Sequence, residues 1–171
     1  MSPDISGGTD SYREKYKVRP FKHSLHREYN GFNPFELRVA EALDALKMPW
    51  CRNPVGKDGY RIPIQELGSD TVWFYPDFLL WTDNDVWALD PKGKHLVVAA
   101  VAEKLMDLSG LKGLKPTIRV GFILEGNYIL DAQNHYKKTG QDGYTLIRKV
   151  GTRPKALTFP SLTKLTASLT T

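Results

Sequence analysis

In the stretch GFNPFELRVAEALDALKMPW, residues 31–50, apolar side chains return with the period of an α-helix. At about 100° per residue, Phe35, Val39, Ala42, Leu43 and Leu46 share one stripe, which predicts a helix with a single core-facing side. Its start is well marked. Asn33 suits the N-cap, and Pro34 suits the first helical position, where a missing N–H costs nothing. Glu36 stands three residues after the cap, where its carboxylate can accept from the cap's own N–H. Phe32 and Leu37 are spaced for a hydrophobic staple. Glu36 lies at the edge of the stripe, toward the expected sheet, while Glu41 points to the opposite side.

Beyond this helix the pattern shortens toward a period of two. Strands are expected around Pro49–Asn53 and Tyr60–Leu67, with GKDG as the turn between them, and a hairpin over residues 71–93. HLVVAAVAEKLMDLSG repeats Val97, Val101, Leu105 and Leu108 at helical spacing, with Gly110 to end the helix. TIRVGFILEG reads as a buried strand closed by Gly126, and GYTLIRKV as another strand. PSLTKLTASL fits a short end helix capped by Ser161. The order helix, strands, helix, strand predicts an α/β (α+β) fold, a mixed central sheet with helices packed on it. The organisation expected is a flexible arm over residues 1–20, one domain over 21–155 and a Ser/Thr-rich tail over 156–171.

Composition narrows the class without naming it. With 171 residues, 41% hydrophobic and 25% charged, the chain reads as an ordinary globular protein of one domain. No apolar run approaches the roughly 20 residues that span a bilayer, and the first residues lack the apolar centre of a secretion signal. A single cysteine, Cys51, excludes an intrachain disulfide and suits a reducing, cytoplasmic location. The net charge is +5, but residues 1–93 carry −2 and residues 94–171 carry +7. A basic half beside a carboxylate-bearing half suits a polyanionic partner meeting an acidic site.

The carboxylates of the hairpin are the main anomaly. Asp77 and Asp90 occupy strand positions that favour Val, Ile or Phe, and Lys92 follows two residues later. If Asp83–Asn84 form a two-residue turn, paired residue numbers sum to 167, so that Asp77 faces Asp90. Asp77, Asp90 and Lys92 then share one face, and Val72, Phe74, Phe78, Leu80, Trp87 and Leu89 share the other, as core. Opposed Cβ atoms are only about 4.5–5.5 Å apart, where like charges destabilise the pair. A hard divalent cation such as Mg²⁺ would reconcile them, with Lys92 beside it to steady an attacking water or the charge building on a phosphate. A three- or four-residue loop would slip the register and move Asp77 away from Asp90; Asp83 and Asp85 are themselves turn residues.

Pro76-Asp77, a short gap and then Asp90-Pro91-Lys92 resemble the signature of the PD-(D/E)XK nuclease superfamily. More narrowly, PFKHSLHREYNGFNPFELRVAEALD, WCRNP and YPDFLLW…LDPKG are similar to the nuclease domains of type III restriction and helicase-associated phage-defence subunits. The resemblance covers roughly residues 20–125. It implies a restriction-endonuclease-like fold and hydrolysis of DNA phosphodiesters with Mg²⁺ or Mn²⁺. It implies Asp77 and Asp90 as metal ligands, Lys92 as the catalytic lysine, and Glu36 as the helix glutamate completing the metal shell, directly or through water. The capping box gives Glu36 a full structural explanation as well. Target selection would come from a helicase or translocase motor in the same or a partner chain, or from a homodimer. The chain has no G-x-x-x-x-G-K-[ST] motif and so carries no motor of its own.

Other residues bear on the same chemistry. Lys94 and His95 begin the second helix, whose N-terminus favours anions, and Lys104 lies on the edge of its stripe; all three are candidate DNA contacts. His23, His26, His95 and Cys51 lack the spacing of a zinc site. Trp73, Tyr75 and Trp81 have rings that stack on bases, but such strand residues more often pack, and they are not counted with the site. Two alternatives remain beside the DNA endonuclease: a nucleic-acid-binding or assembly module on a catalytically degenerate nuclease fold, and a nuclease directed at RNA.

Overall fold

The computed structural model describes residues 17–54, 56, 58–64, 72–92, 116–131 and 135–171. In chain order the elements are β1 (Arg19–Pro20), β2 (Glu28–Tyr29), α1 (Pro34–Asp44), β3 (Trp50–Arg52), β4 (Ile62–Ile64), β5 (Val72–Phe74), β6 (Phe78–Trp81), β7 (Asp85–Lys92), β8 (Thr117–Leu130), β9 (Tyr136–Val150), β10 (Arg153–Phe159) and α2 (Leu162–Ala167). The fold is mixed α+β, built on a six-stranded sheet in the order β10–β9–β8–β7–β6–β3. Neighbours run antiparallel except β7 and β8, which are parallel. Two-stranded ribbons, β1–β2 and β4–β5, complete the described strands. No helix among the described residues is long and apolar enough to cross a membrane.

The first helix forms as its sequence predicts. Asn33 Oδ1 accepts from the N–H groups of Phe35 and Glu36 at 2.9 and 2.8 Å, and the Glu36 carboxylate accepts from the Asn33 N–H at 3.3 Å. Val39, Ala40, Ala42 and Leu43 are buried against the sheet. On that face they meet Phe78, Leu80, Trp87, Leu89, Ile123 and Leu146 in one cluster. The segment expected as a tail supplies part of the same core. Ala156–Phe159 belong to the edge strand β10, and Leu162, Leu165 and Leu169 of the Ser161-capped α2 region are buried beside α1.

The opposite face of the sheet is covered too. Leu79, Ala88, Val120, Phe122, Leu124 and Ile147 form a second cluster, roofed by Ile62 and Phe74 of the β4–β5 ribbon. GKDG turns as expected, its Gly59 N–H donating to the Gly56 carbonyl at 3.0 Å, although the strands on either side join different sheets, β3 pairing with β6 and β4 with β5. Three other expectations are corrected. Residues 71–93 are not one hairpin, because β5 leaves the central sheet before β6 begins. Phe74 consequently packs on the face that carries the aspartates, not with Phe78 and Leu89. Gly126 likewise does not close its strand: β8 continues to Leu130 through a register shift between Glu125 and Asn127. Gly126 there has φ +98°, and a Cβ would come within 2.7 Å of the Gly140 carbonyl oxygen, so a bulge at this point requires glycine. The helix expected over residues 95–110 lies outside the described residues.

Candidate functional site

The turn between β6 and β7 sets the register of everything above it. Thr82 N–H donates to the Asp85 carbonyl at 2.9 Å, so Asp83 and Asn84 form the two-residue loop. The pairs Phe78↔Leu89, Leu79↔Ala88, Leu80↔Trp87 and Trp81↔Val86 follow, all summing to 167. Asp77 and Asp90 stand one step beyond the last of these pairs. By alternation from the paired Leu79 and Ala88 they belong to the same face of the sheet. Asp90 is only 1% exposed, a carboxylate within a strand that is otherwise apolar around it. Lys92, the last residue of β7, pairs in register with Leu124 of β8 and has the same parity as Asp90.

Asp77 is held by its backbone. The Asn53 N–H donates to the Asp77 carbonyl at 2.7 Å, which extends the β3–β6 pairing by one step. The buried Asn53 side chain then joins two segments: Nδ2 donates to the carbonyls of Tyr60 and Pro76, both at 2.8 Å, and Oδ1 accepts from the Tyr60 N–H at 2.8 Å. One amide thus ties the loop after β3 to the Pro76–Asp77 bend. Between these segments lies an open cleft of about 410 Å³ lined by Asn53, Pro54, Gly56, Tyr75, Pro76 and Asp77.

Glu36 approaches from the helix side. Its Oε2 accepts from Arg52 Nη2 at 3.1 Å, and its Oε1 from Asn33 Nδ2 at 2.6 Å. Arg52 also donates to the carbonyls of Asn30 and Gly31 at 2.6 and 3.1 Å, and its guanidinium lies 4.6 Å from the centre of the Phe32 ring. Burial raises the Glu36 pKa, with a further increase from the negative charge of Asp77; Arg52 and the Asn33 N–H pull it the other way. The influence of Asp77 on Glu36 links the first turn of α1 to the start of β6.

The strand pairs next to Asp77 and Asp90 keep the predicted sum of 167, and Glu36 lies within electrostatic reach of Asp77. Among the described residues, however, no three His, Cys, Asp or Glu side chains come together as a ready-made metal cage. Lys94, His95 and Lys104 lie outside the described residues. Burial pushes the Cys51 thiol up to about 11, so it stays protonated at neutral pH, as suits a packed strand residue. Two contributors, Arg52 and Asn53, lie in the WCRNP stretch but carry no signal of these roles in the sequence. Asn53 precedes a proline and reads locally as a turn residue, and nothing near Arg52 announces that it will meet a helix cap. No protein-family model, curated protein or solved structure matches the chain.

Proposed function

We propose that this chain is a metal-dependent DNA endonuclease with a restriction-endonuclease-like fold, a member of the PD-(D/E)XK superfamily. The observation that carries the reading is the β6–β7 register, whose pairs end at Phe78↔Leu89; carried one step further it would set Asp77 against Asp90, and Asp77 lines an open cleft. Carboxylates set against each other on one sheet face repel, and a cation shared between them would offset that repulsion. The element order supports the same reading: a glutamate-bearing helix, then antiparallel β3, β6 and β7, then β8 parallel to β7.

The residues fit a hard cation. Mg²⁺ or Mn²⁺ uses one or two carboxylates and completes its shell with waters and phosphate oxygens, so two aspartates suffice without a third acidic ligand. Asp77 and Asp90 would hold the ion, which when bound neutralises phosphate charge and acidifies water. Lys92, two residues after Asp90 in the sequence, would orient the attacking water and offset charge on the phosphate. Glu36, anchored by Arg52 and Asn33, assists through solvent at the edge of the site. DNA selection falls to a helicase or translocase motor in the same or a partner chain, or to a homodimer, acting in the cytoplasm.

A second reading, a binding or assembly module on a degenerate nuclease fold, draws on one observation: Arg52 and Asn33 already occupy the Glu36 carboxylate. A cleavage assay with Mg²⁺ or Mn²⁺ separates the two. The endonuclease cuts DNA, and Asp90→Ala and Lys92→Ala abolish cutting while DNA binding persists. Cutting that survives both substitutions removes the proposed site, and binding with no cutting by the wild type selects the module.

A further inference from the structure

The β4–β5 ribbon buries one side and displays the other. Ile62 and Phe74 turn inward to close the second core, while Trp73 and Tyr75 alternate with Phe74 and remain 40% and 39% exposed. The Arg61 guanidinium lies over the Trp73 ring, 4.2 Å from its centre. Tyr75 also lines the cleft that contains Asp77. Along an extended chain, residues two apart are spaced by about 6–7 Å, so Trp73 and Tyr75 lead stepwise toward Asp77. Single exposed aromatics are ordinary on protein surfaces. Two neighbouring rings with a cation, running into a cleft, form a surface with a chemical preference.

We propose that Arg61, Trp73 and Tyr75 form a stacking platform for unpaired bases of a nucleic-acid strand, leading that strand into the cleft beside Asp77. The choice of ligand rests on the nucleolytic reading above, and the inference adds a preference for unpaired over duplex substrate. Stacking needs the flat face of a base. Inside a duplex those faces are covered by neighbouring base pairs, whereas a single strand presents them. The guanidinium beside the rings suits both the π-face of a base and a backbone phosphate. The cleft volume lies in the range of small-ligand pockets, enough for a nucleotide.

Binding measured in EDTA, where no divalent ion supports cutting, tests this independently of catalysis. The full chain is titrated with a fluorescein-labelled oligothymidylate and with a duplex of equal length, reading anisotropy. The single strand is expected to bind more tightly and to quench tryptophan fluorescence. Trp73→Ala and Tyr75→Ala should each weaken single-strand binding about tenfold, Trp73→Phe should restore most of it, and duplex binding should hardly change. Equal or tighter duplex binding, or single-strand affinity untouched by both alanine variants, overturns the platform. If the platform variants lose binding while no condition gives cutting, the nucleolytic reading fails and the platform stands. If duplex DNA is cut equally well by both variants, the platform fails and the nucleolytic reading stands.

Discussion

Arg52 Nη2 meets Glu36 Oε2 at 3.1 Å, with both side chains only 16% exposed. The contact joins the residue that closes the capping box of α1 to the last residue of β3, so one ion pair fixes the helix start against the sheet edge. It also offsets part of the cost that burial and the negative charge of Asp77 impose on the Glu36 carboxylate.

The Glu36 carboxyl should respond to both neighbours. Its pKa is raised in the folded protein, so the folded state binds its proton more tightly than the unfolded chain does. Its contribution to stability is therefore fully present below the ordinary value of 4.5 and is lost as pH rises through the higher folded value. Glu36→Gln should flatten that decline. Asp77→Asn should lower the Glu36 midpoint and Arg52→Ala should raise it, as read by carboxyl-carbon NMR titration. Arg52→Ala should also cost about 2–4 kcal/mol in urea unfolding, because two backbone carbonyls and a largely buried carboxylate lose their donor. A Glu36 midpoint unmoved in Asp77→Asn would show that the two carboxyls do not sense each other.

A cation shared by Asp77 and Asp90 should stabilise the fold as well as serve catalysis. Ligand at a hundredfold excess over its Kd adds about 2.7 kcal/mol, which for a domain of this size raises Tm by roughly 5–10 °C. The wild type should show this rise with Mn²⁺, and Asp77→Asn and Asp90→Asn should not. The same rise in all three proteins would place any bound ion elsewhere.

Asn53→Ala should loosen the site from beneath. It removes two donated bonds and one accepted bond from a buried amide, leaving backbone groups of Tyr60 and Pro76 without these partners, at a cost of about 2–4 kcal/mol. Faster amide exchange at Tyr60, together with reduced cutting, is the expected signature. Unchanged exchange at Tyr60 would mean that Asn53 does not clamp the bend.

The elements written in short-range chemistry were legible in the sequence. The first helix needs only Asn33, Pro34 and Glu36 at fixed offsets, and the β6–β7 register needs only a two-residue turn, so the pairs from Trp81↔Val86 to Phe78↔Leu89 could be deduced from residue numbers. Ser161 announced α2 by the same logic, accepting from the Lys164 N–H at 3.2 Å. Partner choice was decided only in the tertiary structure. The strand pattern around Cys51 and Ile62 fits a hairpin as well as it fits two separate sheets, and in the fold β3 joins β6 while β4 joins β5. The same holds for Phe74, which roofs the second core, for Gly126, whose bulge is imposed by β9, and for Arg52, whose partner is sixteen residues away in the chain. Local hydrogen bonds and periodicity act within a few residues and can be read along the chain. Burial and charge pairing depend on which distant surfaces meet, and the chain must fold before those surfaces exist.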